Sequence, residues 1–174
     1  KYLVIGNPIE HSLSPQLHNH WIKVEKINAI YEKRKLHINE IKDLIQDIKD
    51  QKINGINVTV PFKQEVIPYL DELTEQAKKT QSVNTIYLGA KGIIGHNTDI
   101  EGFEESLRYV KYNVKDKDVL ILGGGGVVPS IIFALKNMKA QNIIVSNRTQ
   151  KKAENLKKIF EKIKIIDWGK VPDV

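Results

Sequence analysis

The chain has 174 residues, enough for one large domain or two small ones, with 41% hydrophobic and 28% charged residues, the balance of an ordinary water-soluble fold. It contains no cysteine, which excludes disulfides, iron–sulfur clusters and thiolate zinc sites. The net charge of +6 raises a nucleic-acid partner, but the lysines of "EIKDLIQDIKDQK" and "QKKAENLKKIFEK" are interleaved with acids, as on solvated helix faces, so none is expected.

In chain order, "KYLVIG" reads as a short buried strand. Gly6 and Pro8 break it too early for a secretory signal, which leaves the cytoplasm as the expected location. "SPQLHNHWIKVEKI" follows with Leu17, Trp21 and Val24 at helical spacing, and "AIYEKRKL" alternates like a strand. "NEIKDLIQDIKD" carries Ile41, Leu44, Ile45 and Ile48 in one apolar stripe, and "GINVTVP" is a β-branched strand stopped by Pro61. This strand–helix alternation predicts a parallel sheet covered by helices. A helix around "LTEQAKKTQ" comes next, then "NTIYL" and "GIIG", which the turn-like "GAKG" joins as a hairpin. "DIEGFEESLRYVKY" reads as a helix with Phe103 and Leu107 on one side, a connector between two domains. From Lys115 a second βαβαβ array begins, through "DVLILGGGG", "VPSIIFALKNM", "NIIVSN", "AENLKKIF" and "KIIDW". A doubly wound dinucleotide domain contains two such halves, so the chain is expected to stop early, leaving an unpaired sheet edge and an uncovered apolar face. No run reaches the roughly 18 apolar residues of a membrane helix, and no membrane partner is expected.

A strand, clustered glycines and a helix form the context of a dinucleotide fingerprint, in which the backbone approaches a pyrophosphate at a helix N-terminus. Here Gly123, Gly124, Gly125 and Gly126 supply the loop. The third glycine position falls on Val128 or Pro129, so the helix is expected to sit slightly farther off its strand. Pro129 fits the first helical turn, where it should bias Val128 away from helical geometry and delay the helix start. At the end of the next strand, where an NAD site places an acid, the chain reads "SNRT". Arg148 can offer a planar fork to a 2′-phosphate, with Asn147 and Thr149 adding neutral hydrogen bonds, which favours NADP over NAD. The same residues can also cap the following helix.

Three other segments are polar where strands end: "SLSP", "NVTVPFK" and "HNTD". Each has an ordinary alternative, with Ser14 capping a helix ahead of Pro15, Lys63 solvated at the surface and Asp99 capping "IEGFEESL". "NVT" and "NRT" match the glycosylation sequon, which is discarded for want of a signal peptide. The five histidines show no pairing suited to a metal, and none is expected.

Taken in order, "GNPIEHSLSPQLHN", "GINVTVPFK", "SVNT", "GHNTDIEGF", "LILGGGG" and "SNRT" resemble the shikimate dehydrogenase family. The resemblance implies an N-terminal α/β substrate domain (1–100), a connector helix (101–113) and the first half of a Rossmann-type NADP-binding domain (114–174), with the family's C-terminal third lacking. It implies reversible hydride transfer between NADPH and 3-dehydroshikimate, giving shikimate, in a cleft between the domains. It assigns Ser12 and Ser14 to the substrate carboxylate and Thr59 and Asn84 to further substrate contacts. Lys63 and Asp99 match the family's catalytic pair, Gly123 to Gly126 its phosphate loop, and Asn147, Arg148 and Thr149 its 2′-phosphate clamp. The loop departs from the family's more common glycine-alanine-glycine-glycine at Gly124. The expected partner is a small-molecule substrate, on a monomer or homodimer. The alternatives are an NAD-preferring quinate or shikimate dehydrogenase and a non-catalytic NADPH or metabolite-binding protein of the same fold.

Overall fold

A computed structural model describes residues 1–170, so the last four residues of the expected 114–174 domain lie outside the described residues. The chain divides into two compact units, the first ending at Asn97 and the second beginning at Thr98.

The first unit is one six-stranded sheet. Its strands are β1 (Tyr2–Gly6), β2 (Tyr31–Lys35), β3 (Gly55–Val58), β4 (Glu72–Leu73), β5 (Thr85–Gly89) and β6 (Gly92–His96), in the order β2-β1-β3-β5-β6-β4. β1 pairs in parallel with both β2 and β3, as the strand–helix alternation predicts. Beyond β3 the sheet is mixed: β5 and β6 form the expected hairpin and dock antiparallel on β3 through β5, and β4 pairs in parallel with β6 at the edge.

The two faces of this sheet are built differently. Side chains alternate along a strand, so Leu3, Ile5, Ile56, Val58 and Ile86 share one face. Helix α2 (Ile41–Lys49) lays its stripe of Ile41, Leu44, Ile45 and Ile48 into the same buried cluster, which forms the main core. The opposite face carries Val4, Asn57, Thr85 and His96 in cross-strand register, with Tyr31 on β2 beside them.

Helix α1 (Ser14–Val24) is held against this second face by residues other than the stripe expected from spacing. Leu17, Trp21 and Val24 are all about half exposed or more, at 49%, 50% and 58%. The contacts come from His18, Asn19 and Ile22. The His18 ring stacks on Tyr31 at 4.1 Å, Asn19 brackets the Tyr31 backbone, donating to its carbonyl at 2.7 Å and accepting from its N–H at 3.0 Å, and Ile22 packs on Val4, Ile9 and Tyr31. The side-chain amide satisfies both main-chain groups at the start of an edge strand, and that requirement sets which face of the helix turns inward.

The second unit holds a three-stranded parallel sheet of β7 (Asp118–Leu122), β8 (Asn142–Ser146) and β9 (Ile163–Ile166) in that order. Short helix α3 (Glu75–Thr80) lies in the first unit ahead of β5, whereas α4 (Asp99–Tyr109), expected as a connector, contributes Phe103 and Leu107 to the second core. Helices α5 (Val128–Asn137) and α6 (Gln150–Ile159) complete that core with Ile132, Leu135 and Leu156 against Ile143, Val145 and Ile163. Leu120 and Leu122 alternate onto the other face of β7, where Leu122 is 69% exposed, and β7 is an edge strand among the described residues.

One local expectation is corrected here. The helix after the glycine loop starts at Val128, ahead of Pro129, so the proline does not delay it. Val128 donates its N–H to Gly125 O at 3.0 Å, closing a turn that carries the chain into helical geometry. Pro129 then occupies the first turn, where its missing N–H has no intrahelical acceptor to leave vacant.

Ile48 is fully buried at the centre of the first core. Ile48→Ala should therefore cost about 2–5 kcal/mol, read as a lower urea midpoint at unchanged slope for the transition of the first unit.

Candidate functional site

In the first unit, "NVTVPFK" runs on from the end of β3 beside the end of β1. Thr59 follows β3 and donates its N–H to Ile5 O at 2.9 Å, while Asn7 donates to Val60 O at 3.0 Å, so the two strand ends run on side by side. Gly6 permits this approach: a Cβ there would stand 2.7 Å from Thr59 Cγ2 and 3.0 Å from Val60 O. Phe62 donates back to Thr59 O at 2.9 Å, which turns the chain and places half-buried Lys63 in the loop beyond. The Lys63 carbonyl accepts the Val83 N–H at 2.8 Å and the Asn84 carbonyl accepts the Val58 N–H at 2.8 Å. Thr59 and Lys63, on one segment, and Asn84, on another, are thus laced together by main-chain hydrogen bonds.

Ser12 and Ser14 lie in the loop from β1 into α1. Ser14 is the first residue of α1, Leu13 holds the cap position, and no side chain caps there in the usual way, so the capping role considered for Ser14 is not realised. Instead Ser12 Oγ accepts the Ser14 N–H at 3.3 Å. Asn97 of "HNTD" is fully buried and donates to Ser82 O at 2.8 Å, a structural role in the first unit. Asp99 belongs to the second unit, where it is the first residue of α4 and its carboxylate stands at the favourable end of the helix dipole.

The second unit brings the glycine loop and the "SNRT" segment together. Gly123 donates its N–H to Ser146 O at 2.8 Å, tying the loop to the end of β8. Gly123 has φ +114°, a backbone conformation that side-chain-bearing residues rarely adopt, and neither Gly123 nor Gly125 has an atom within 4 Å of a Cβ built there. A Cβ on Gly124 would stand 3.2 Å from Asn147 Cγ, so loop and strand end touch. Thr149 holds the cap position of α6 without a side-chain cap bond, and Asn147 Nδ2 donates to Thr149 O at 2.8 Å. An exposed main-chain bend beside Asn147 and Arg148 fits the phosphates of a dinucleotide. Asn147 and Arg148 also line a pocket of about 370 Å³ with Gln150, Lys157 and Trp168. Trp168 was missed in the sequence because "KIIDW" reads there only as a strand, whereas β9 ends at Ile166 and releases the indole.

A second group escaped the sequence reading. Tyr31, 5% exposed, donates its hydroxyl to Asn57 Oδ1 at 2.6 Å. Asn57 Nδ2 donates to Asn84 O at 3.2 Å and to Thr85 Oγ1 at 3.1 Å, and Thr85 donates to Asn84 Oδ1 at 3.0 Å. Burial pushes the Tyr31 phenol up to about 12. Burial also holds His18, stacked on that phenol, below the usual histidine range. An Asn at an inward position of a strand, opposite a Thr on the next, was the available signal.

The chain matches two family models in sequence order: "Shikimate dehydrogenase substrate binding domain" over residues 4–86 and "Shikimate / quinate 5-dehydrogenase" over residues 105–172. It is 60% identical over 172 residues to a shikimate dehydrogenase (NADP(+)) of Pelagibacter ubique (strain HTCC1062), covering 99% of this chain and 65% of that protein. Among solved structures it is similar to the shikimate dehydrogenase of Aquifex aeolicus, with 39% identity, a TM-score of 0.87, and 95% of this chain and 61% of that one covered. It is also similar to shikimate 5-dehydrogenase from Thermus thermophilus in complex with NADP(H) and shikimate, at 28% identity and a TM-score of 0.84, covering 95% of this chain and 62% of that one. The chain therefore spans a little under two thirds of the length of these relatives.

Two measurements check this geometry. Gly123→Ala forces a side chain onto φ +114° and should cost about 1–3 kcal/mol of stability in a denaturant titration. For Tyr31, the unfolded phenol ionises near 10 and the folded one near 12, so the unfolded state loses its proton first. Stability should then fall as pH rises from about 10 to about 12, by more in the wild type than in Tyr31→Phe.

Proposed function

The chain belongs to the shikimate dehydrogenase family, and on that premise we propose that its protein catalyses NADP-dependent, reversible oxidation of shikimate to 3-dehydroshikimate. The observation that carries this reading is the pair of family models matched in order, one on each compact unit. Thr59 and Lys63 follow parallel strand β3, and the glycine loop and "SNRT" follow parallel strands β7 and β8, positions at which open α/β sheets bind ligands, which supports the reading.

Ser12 and Ser14 are assigned to the substrate carboxylate, which two hydroxyl donors bind without adding charge. Thr59 and Asn84 add polar contacts on the same unit. Lys63 is the principal acid/base at the reacting hydroxyl, taking its proton on oxidation and returning it on reduction, with Asp99 as its partner and substrate anchor. The loop Gly123 to Gly126 cradles the pyrophosphate at the start of α5 through main-chain N–H groups beyond Gly123, whose own N–H is held by Ser146 O. Arg148, with Asn147 and Thr149, holds the 2′-phosphate, and the absence of an acid from "SNRT" removes the repulsion an NAD-type site would impose. NADP, when bound, supplies or accepts the hydride. Quinate is the second substrate to test, because the model matched over residues 105–172 is described for both acids.

A steady-state assay of the full-length protein with shikimate, NADP and NAD tests the reading. Turnover should be faster with NADP than with NAD, and absence of shikimate-dependent turnover refutes the assignment. Lys63→Ala should lower kcat about 10²–10⁴-fold with a smaller change in the shikimate KM, and near-normal turnover removes Lys63 from the proton step. Arg148→Ala should raise the NADP KM by about tenfold or more while leaving NAD kinetics nearly unchanged, as expected for loss of a charge-assisted phosphate contact.

A further inference from the structure

We propose that Tyr31, Asn57 and Thr85 form a directional hydrogen-bond relay that fixes the side-chain amide of Asn84 with its Nδ2 as the substrate-facing donor. The inference rests on the reading of Asn84 as a substrate contact and gives that contact its polarity.

The direction follows from one acceptor that cannot donate. Asn57 approaches the main-chain carbonyl of Asn84 at 3.2 Å, and a carbonyl oxygen only accepts, so the Asn57 atom facing it is Nδ2. That orientation turns Oδ1 toward Tyr31, whose hydroxyl, 2.6 Å away, must donate to it. A buried phenol kept protonated across the ordinary pH range is suited to that task. The second hydrogen of Asn57 Nδ2 goes to Thr85 Oγ1 at 3.1 Å, so Thr85 accepts there and sends its own proton onward. The recipient is Asn84 Oδ1 at 3.0 Å. With Oδ1 committed to Thr85, the group that Asn84 turns to its other side is the amide NH2.

The relay is rigid because its members are cross-strand neighbours: Asn57 pairs with Thr85 in the β3–β5 ladder, and Asn84 immediately precedes β5. Tyr31 is clamped in turn by the His18 ring and by the Asn19 bracket on its backbone. Tyr31, Asn57 and Thr85 are therefore positioning residues, acting through Asn84. The chemical consequence is selection for an acceptor at this point of the ligand, a hydroxyl or carbonyl oxygen, because an amide set as a donor rejects a group that can only donate.

A double-mutant cycle on the full-length protein tests the relay, reading the shikimate Kd by calorimetry alongside the steady-state KM. Thr85→Val should weaken shikimate binding about three- to tenfold, the usual effect of one misdirected neutral hydrogen bond, and Thr85→Ser should restore it. In an Asn84→Ala background the same Thr85→Val change should alter binding less than twofold. Tyr31→Phe should weaken binding similarly and add nothing to Thr85→Val. If Tyr31→Phe does not fold, the Thr85 and Asn84 variants complete the cycle without it. Costs that add in full across the cycle, or a Thr85→Val variant that binds like the wild type, overturn the relay. A wild type that neither binds nor turns over shikimate overturns the assigned function and the relay together.

Discussion

The apolar burial between α2 and the first sheet is the constraint from which the rest of that unit follows. Ile41, Leu44, Ile45 and Ile48 leave water only if Leu3, Ile5, Ile56, Val58 and Ile86 all present on the same face. Side chains alternate with period two along a strand, so a slip of one residue in any ladder would send that strand's core residues to the wrong side. The register held in this way brings Asn57 opposite Thr85 on the other face, although nothing apolar lies in that pairing. A core formed for stability thereby positions the polar groups of the candidate site.

Both units build their candidate sites on one plan. A strand ends, a main-chain hydrogen bond from the next segment holds the open end in place, and the polar residues stand just beyond. In the first unit Thr59 N–H meets Ile5 O, and the missing side chain of Gly6 lets the two strand ends close together. In the second, Gly123 N–H meets Ser146 O and Asn147 rests against Gly124. Site residues on such ends inherit the rigidity of the sheet while remaining outside its core, which is why ligands of open α/β sheets gather there.

Particular residues show why some of this was legible in the sequence and some was not. The α2 stripe and the β5–β6 hairpin were readable because periodicity and turn chemistry are local. The inward face of α1 was not: Leu17, Trp21 and Val24 have the spacing of a buried stripe, yet His18, Asn19 and Ile22 face the sheet. Spacing marks a stripe but does not say what lies opposite it, and here an edge-strand backbone in want of partners selected the polar face. Pro129 misled for a related reason, since a hydrogen bond from Val128 to Gly125 outweighed the usual preference of the residue before a proline. Asn57 attracted notice only as part of a sequon, because its partners, Tyr31 and Thr85, are distant in the chain and meet only across strands.

By itself, the sequence determined the α/β class, the order of the elements and the family, because these depend on composition, periodicity and long ordered motifs. It also named the residues whose chemistry suits a carboxylate, a reacting hydroxyl and a phosphorylated dinucleotide. Tertiary structure alone decided which helix face turns inward, that "SNRT" meets the glycine loop, and which way the amides of Asn57 and Asn84 point. Those outcomes hinge on groups that meet only in the folded sheet, where an acceptor-only carbonyl or an unpaired strand end selects among orientations that local sequence leaves equivalent.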